Sequence, residues 1–173
     1  ERQCWFMDDG QLTAFTLASG TKRSIPLPPQ FLEPGKPIAI MPDVAGATWL
    51  HQMGKLARFD GQSWQVFALP LGMRSVLSLD RKNGLVWFCN QPDVICFDLK
   101  RRPFDPTPIH RLDVPEGAVN GFTDHLGNYW IGTDALGIRK FAPRNGLFRN
   151  YMEQVSILCR PVPNGRGKVL MTD

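Results

Sequence analysis

The chain has 173 residues, 43% of them hydrophobic and 21% charged, with a formal net charge of +4. That is the composition of an ordinary globular domain long enough to bury a sizeable core. No run of about 18 apolar residues occurs, which excludes a membrane-spanning helix, and no basic stripe interleaved with aromatics suggests nucleic-acid binding. The chain opens without Met and without a signal-peptide pattern, so it is expected to be processed or cut from something larger.

In chain order the elements repeat. The first copy reads Cys4-Trp5-Phe6-Met7, a turn at Asp8-Asp9-Gly10, then Gln11 to Phe15. The second reads Gly46-Ala47-Thr48-Trp49-Leu50-His51, then Gly54 to Phe59. The third has Gly84-Leu85-Val86-Trp87-Phe88-Cys89, a turn, then Val94 to Phe97, and the fourth has Gly127-Asn128-Tyr129-Trp130-Ile131-Gly132-Thr133, then Gly137 to Phe141. A partial fifth places Leu170 where the tryptophan would stand. Trp5, Trp49, Trp87 and Trp130 are 44, 38 and 43 residues apart. Each copy is a short apolar run, a polar turn, and a second run ending in Phe, which is the signature of a hairpin.

A third run follows each hairpin (Arg23 to Leu27, Trp64 to Leu69, Ile109 to Leu112, Phe148 to Tyr151), and another precedes the later tryptophans (Ile38 to Met41, Val76 to Leu79, Val119 to Thr123, Val155 to Arg160). Four short antiparallel strands per repeat, in tandem, with no helical period, predict an all-β chain of β-propeller blades. The copies span about 1–37, 38–75, 76–118 and 119–154, with a partial fifth at 155–173, as one propeller region. The tryptophans are expected to be structural, packed between blade faces. Counting three strands, three groups of four, and two makes seventeen. That count predicts about four blades, as a fragment of a larger propeller or an open arc completed by another copy.

Cys4, Cys89, Cys96 and Cys159 form no C-x-x-C, so a zinc site is not expected. A four-residue loop at 90–93 would pair Cys89 with Val94 and Cys96 with Trp87, a diagonal unsuited to a disulfide and predicting buried free thiols. The basic clusters Lys100-Arg101-Arg102 and Arg139-Lys140 suit either a solvated blade edge or an anionic partner such as an acidic glycan or phosphate.

The fourth copy, from Asp124 through Gly127, Trp130-Ile131-Gly132-Thr133, Gly137 and Arg139-Lys140-Phe141, resembles the two-component regulator propeller repeat, D-x-x-G-x-x-W-I-G-T followed by G-[LI]-x-[RK]-[FY]. The second copy matches well from Gly46 to Asp60; the first and third match only at the Trp, the hairpin and the aromatic. The resemblance implies a periplasmic sensor region of a hybrid two-component system that detects oligosaccharides. The kinase of such proteins has no motif here.

No catalytic constellation stands out. His51 and His125 are expected in turns beside the Trp strand, without a nucleophile or acidic partner at motif spacing; His110 completes the histidines. Asp8-Asp9 before Gly10 is ordinary turn chemistry. No metal and no cofactor are expected. By position on the fold alone, the ligand face would take Asp8, Asp9, His51, Gln52, Asn90, Gln91, Thr133 and Asp134 from turns that follow the Trp strands. The expected function is a non-enzymatic sensor or ligand-binding propeller, extracytoplasmic by resemblance. The alternatives are a protein-binding scaffold, or a propeller-fold lyase or glycan-active enzyme. Expected partners are an oligosaccharide and the remaining blades or a second copy of the chain. Nucleic acid and membrane insertion by this segment are not expected.

Overall fold

The computed structural model describes residues 3–8, 10–31, 38–42, 46–69, 73, 75–101, 103–114, 117–133, 137–143, 147–151, 160–163 and 169–172, with side chains up to Pro143. The described residues carry seventeen strands in antiparallel sheets of three, four, four, four and two. They fall into two compact units, Glu1–Leu69 and Pro70–Asp173. Among the described residues no helix is long and apolar enough to cross a membrane.

The first unit holds a three-stranded sheet, β1 (Gln3–Asp8), β2 (Gln11–Thr16) and β3 (Lys22–Pro26), then a 3-10 turn at Pro29–Phe31. A four-stranded sheet follows: β4 (Ala39–Pro42), β5 (Thr48–Gln52), β6 (Lys55–Phe59) and β7 (Trp64–Ala68). Alternation along the strands puts Leu12 and Ile25 of the first sheet against Leu50, Ala57 and Phe59 of the second, closed by Leu27 and Phe31. Polar bonds tie the same two sheets. The Trp64 indole N–H donates to the Pro26 carbonyl at 2.9 Å, and the Arg23 guanidinium to the Gly61 carbonyl at 3.1 Å.

The second unit begins with a sheet of β8 (Ser75–Asp80), β9 (Leu85–Asn90), β10 (Asp93–Asp98) and β11 (His110–Asp113). The next is β12 (Ala118–Thr123), β13 (Tyr129–Thr133), β14 (Ile138–Ala142) and β15 (Leu147–Tyr151), followed by the pair β16 (Arg160–Pro163) and β17 (Val169–Thr172). Trp87, Val94, Cys96 and Leu112 of one sheet pack on Tyr129, Ile131 and Phe141 of the next. The Trp87 and Tyr129 rings lie face to face, with centroids 3.8 Å apart and planes 3° from parallel; His110 stacks 5.9 Å from Trp87, and Phe141 meets it edge-on. An amphipathic ring of this size buries a large area and adds a specific stacking preference. Trp87 is therefore a wall between sheets, as the repeat predicts. Trp49 is likewise fully buried, whereas Trp5 and Trp130 are half-buried.

The strands follow the repeat closely. The Cys89–Val94 and Trp87–Cys96 pairings are those expected, and Cys89 and Cys96 are buried free thiols; Cys4 is free and exposed, and Cys159 lies outside the described residues. The turn at 90–93 is tighter than expected. Asn90 and Asp93 pair within the strands, leaving the two-residue turn Gln91-Pro92, whose peptide is cis. The run expected at Val155 to Arg160 meets β16 only at Arg160, since 155–159 lie outside the described residues.

The repeat motif is legible as hydrogen bonds. Asp124 clasps the turn into the Trp strand: its Oδ1 accepts the amides of Leu126 and Asn128 at 2.9 Å, and its Oδ2 accepts the Asn128 side-chain amide at 2.9 Å and the Trp130 indole N–H at 2.8 Å. Gly127 sits at φ +83°, a conformation glycine adopts without Cβ strain. Across the strands Trp130 pairs with Lys140, whose ammonium lies 5.0 Å from the indole centroid, and Trp49 pairs with Arg58. The basic residue of the motif is thus the cross-strand partner of the tryptophan. In the two weaker copies that partner is Ala14 or Cys96.

Two outcomes follow for stability. Trp87→Ala should cost about 3–5 kcal/mol, as for a fully buried aromatic, and more than Trp5→Ala; urea unfolding midpoints of both variants check this. Burial would raise the Asp124 carboxyl, but the hydrogen bonds from Trp130, Asn128 and Leu126 outweigh it and hold it below its ordinary 3.8. Its stabilisation is therefore present above that value and lost as pH falls through the folded one. Asp124→Asn should cost about 1 kcal/mol near neutrality and flatten the acid limb of a pH-dependent melting series.

Candidate functional site

Successive turns of an antiparallel meander alternate between the two ends of a sheet, so each sheet has two distinct edges. The end of each Trp strand, with the turn that follows it, lies at one edge. Here stand Asp8, His51 and Gln52 in the first unit, and Asn90, Gln91 and Thr133 in the second; Asp9 and Asp134 lie outside the described residues.

Each of these residues has a distinct setting. Asp8 is exposed and forms an ion pair with Lys22. Thr133 is buried, and both its amide and its hydroxyl donate to the Gly137 carbonyl, at 2.9 and 3.0 Å, closing the turn to β14. Gln91 is exposed in its turn, while the Asn90 Oδ1 is buried without a hydrogen-bond partner among the described residues.

His51 departs from expectation. It lies in strand β5 and not in the turn after it, and it is 3% exposed, with Gln52 beside it at 1%. The reason is a small neighbour: His51 pairs with Ala39 on β4, which leaves room for an imidazole. The equivalent pairs in the other sheets are Ser75 with Cys89 and Asn120 with Gly132. A Cβ on Gly132 would come within 2.7 Å of the Asn120 Oδ1. In two of these three pairs a larger residue faces a small one, on opposite strands in the two cases. Burial lowers the His51 pKa to about 4, so the ring is neutral at physiological pH. His110 is also lowered by burial, within its aromatic stack.

The other edge carries turn-building carboxylates. Asp60 accepts the amides of Gln62 and Ser63 at 2.9 and 2.8 Å, and Asp80 accepts both nitrogens of Asn83. These acids, like Asp124, are committed to Asx-type turns. Among the described residues no group of three His, Cys, Asp or Glu side chains could hold a metal ion.

A cavity of about 250 Å³ opens at this second edge of the first unit, between its two sheets. Gln3, Trp5, Ala14, Thr16, Thr21, Arg23 and Ile25 line it from the first sheet, and Gly46, Phe59 and Gly61 from the second. None of these was a predicted ligand residue. One sequence signal was available: in the row Trp5–Ala14–Arg23, an alanine stands where two other copies carry Arg58 or Lys140.

No family model matches the chain, and no curated protein matches it. Solved structures do. Virginiamycin B lyase from Staphylococcus aureus aligns over 87% of this chain and 52% of its own, at 16% identity and TM-score 0.61. The extracellular domain of BT4673 from B. thetaiotaomicron, proposed to be a hybrid two-component system, aligns over 98% of this chain and 27% of its own, at 14% identity and TM-score 0.66. A second structure of that domain gives 12% identity and TM-score 0.67, over 96% of this chain and 24% of its own. This chain thus spans about half the length of the lyase and about a quarter of the extracellular domain. At such identities the likeness is one of fold, and the fold is that of β-propeller blades.

The buried histidine gives a direct readout. His51 has an unfolded value of 6.5 and a folded one of about 4, so the unfolded chain binds the extra proton between them. Stability tied to His51 is full above the higher value and is lost as pH falls toward the lower. NMR of the imidazole should show His51 shifts unchanged from about pH 8 to about pH 5. A His51 midpoint near its unfolded value would contradict the burial.

Proposed function

We propose that this chain is part of a non-enzymatic sensor propeller of the two-component regulator type, the extracytoplasmic input region of a signalling protein that detects an oligosaccharide. The observation that carries the reading is the fourth repeat. Its Asp124, Gly127, Trp130, Gly132, Thr133 and Lys140 each perform a separate structural task across β12 to β14 and their two turns. The fold likeness to the extracellular domain of BT4673, over nearly the whole chain, agrees with it.

The titratable groups point the same way. Asp8 is paired with Lys22, Asp60, Asp80 and Asp124 hold turns, and His51 and His110 are kept neutral by burial. General acid–base chemistry needs groups poised near the working pH and open to substrate; His51, buried and with its pKa lowered to about 4, is neither. Recognition by shape, aromatic faces and turn amides is what such a surface offers. The remaining blades or a second copy of the chain would complete the assembly.

A lyase reading has one observation in its favour, the fold likeness to virginiamycin B lyase. The two readings separate in one experiment. The purified chain, titrated calorimetrically against a panel of neutral and acidic oligosaccharides, should bind at least one of them saturably and return it chemically unchanged by mass spectrometry. A bound sugar recovered with an unsaturated terminal ring would favour the lyase, and silence across the whole panel would count against the sensor.

A further inference from the structure

The two units treat the space between neighbouring sheets differently. In the second, Trp87 is 1% exposed because the Tyr129 ring covers its face. Tyr129 is the residue before the next tryptophan; the residue before Trp49 is Thr48, which has no ring to offer Trp5. In the second unit the row is Trp87–Cys96–His110, and His110 joins the stack; in the first it is Trp5–Ala14–Arg23. Trp5 stays half-buried, Ala14 floors a cavity, and Arg23 stands at its far wall.

We propose that this cleft binds a pyranose ring bearing a carboxylate, a uronic acid residue of a glycan, with the sugar face on Trp5 and the carboxylate on Arg23. The proposal rests on the sensor reading and supplies its site and ligand class. A ring-sized space beside an indole suits the flat apolar face of a pyranose, as mostly apolar pockets with a few placed polar groups suit small ligands. Arg23 is held in place by the Gly61 carbonyl at 3.1 Å and by the Phe59 ring, 5.8 Å from its Cζ. That contact uses one guanidinium nitrogen and leaves the rest of the fork for a carboxylate. Among the described residues lining the cleft there is no Asp or Glu beside the arginine. Gln3 and Thr21, both exposed at the mouth, supply an amide and a hydroxyl for the ring hydroxyls.

The test uses methyl β-glucuronide and its neutral counterpart methyl β-glucoside, titrated into the chain by saturation-transfer NMR. The glucuronide should bind about tenfold more tightly than the glucoside. Arg23→Met should erase that difference, and Trp5→Ala should abolish binding of both. Thr21→Glu alters an exposed hairpin position and removes one exposed hydroxyl contact, to Ser19 at 2.7 Å; it should leave melting nearly unchanged, so it serves even if Trp5→Ala unfolds, and it should weaken the glucuronide at least about tenfold. Glucuronide binding unaffected by Trp5→Ala or Thr21→Glu, or a glucoside that binds as well, overturns the proposal. An oligosaccharide whose binding survives both variants overturns the cleft and leaves the sensor reading standing. A wild-type chain that binds no sugar at all overturns both.

Discussion

Everything else in the second unit is arranged around one contact, the Trp87 indole lying flat on the Tyr129 ring. A single antiparallel sheet of this size cannot bury its own faces and is marginal alone in water. Facing sheets need a large apolar contact between them, and here a stacked aromatic pair supplies it. His110 and Phe141 extend the contact, and the aliphatic side chains of Val94, Leu112 and Ile131 fill what remains. The stack also sets the chemical tone of this core. Cys96 and Tyr129 are so enclosed that burial pushes both pKa values well above the ordinary range, leaving a thiol and a phenol that stay protonated.

The first unit achieves the same end with mixed means. Aliphatic packing around Leu12, Leu50 and Phe59 supplies the apolar contact. A polar seam replaces part of the aromatic one: Trp64 to the Pro26 carbonyl, Arg23 to the Gly61 carbonyl, and Lys55 to the Gln30 carbonyl at 3.0 Å. Side chains from one sheet thus reach backbone acceptors of its neighbour. Such bonds hold sheets together without filling the space between them, and the cleft opens beside the Arg23 bond.

Strand number, order and most pairings were legible in the sequence because the tryptophan phase and the period-two alternation state the same answer twice. The strands from β1 to β15 fall where the runs place them, and even the Trp87–Cys96 rung could be deduced from the hairpin. His51 was misread for a physical reason. A polar residue following Trp-Leu looks like the start of a turn, and only its cross-strand partner Ala39, some twelve residues earlier, makes room for it inside. The cleft was hidden for a similar reason, since Ala14 is small at a position where two other copies carry Arg58 or Lys140. Single positions read along a chain show which residues are apolar; they do not show which pairs add up to a filled volume.

That additivity bears on how such a chain ages. Across one rung, alanine faces histidine, serine faces cysteine, and asparagine faces glycine. Each pair occupies the same rung of its sheet, while neither column of residues resembles itself from copy to copy. A change on one strand that is answered on its neighbour leaves the blade intact and erases a letter of the pattern. Repeats drifting by such paired exchanges would lose recognisable spelling long before they lose shape. A chain like this one, matching no family model yet aligning with solved propellers along nearly its whole length, is what that history would leave behind.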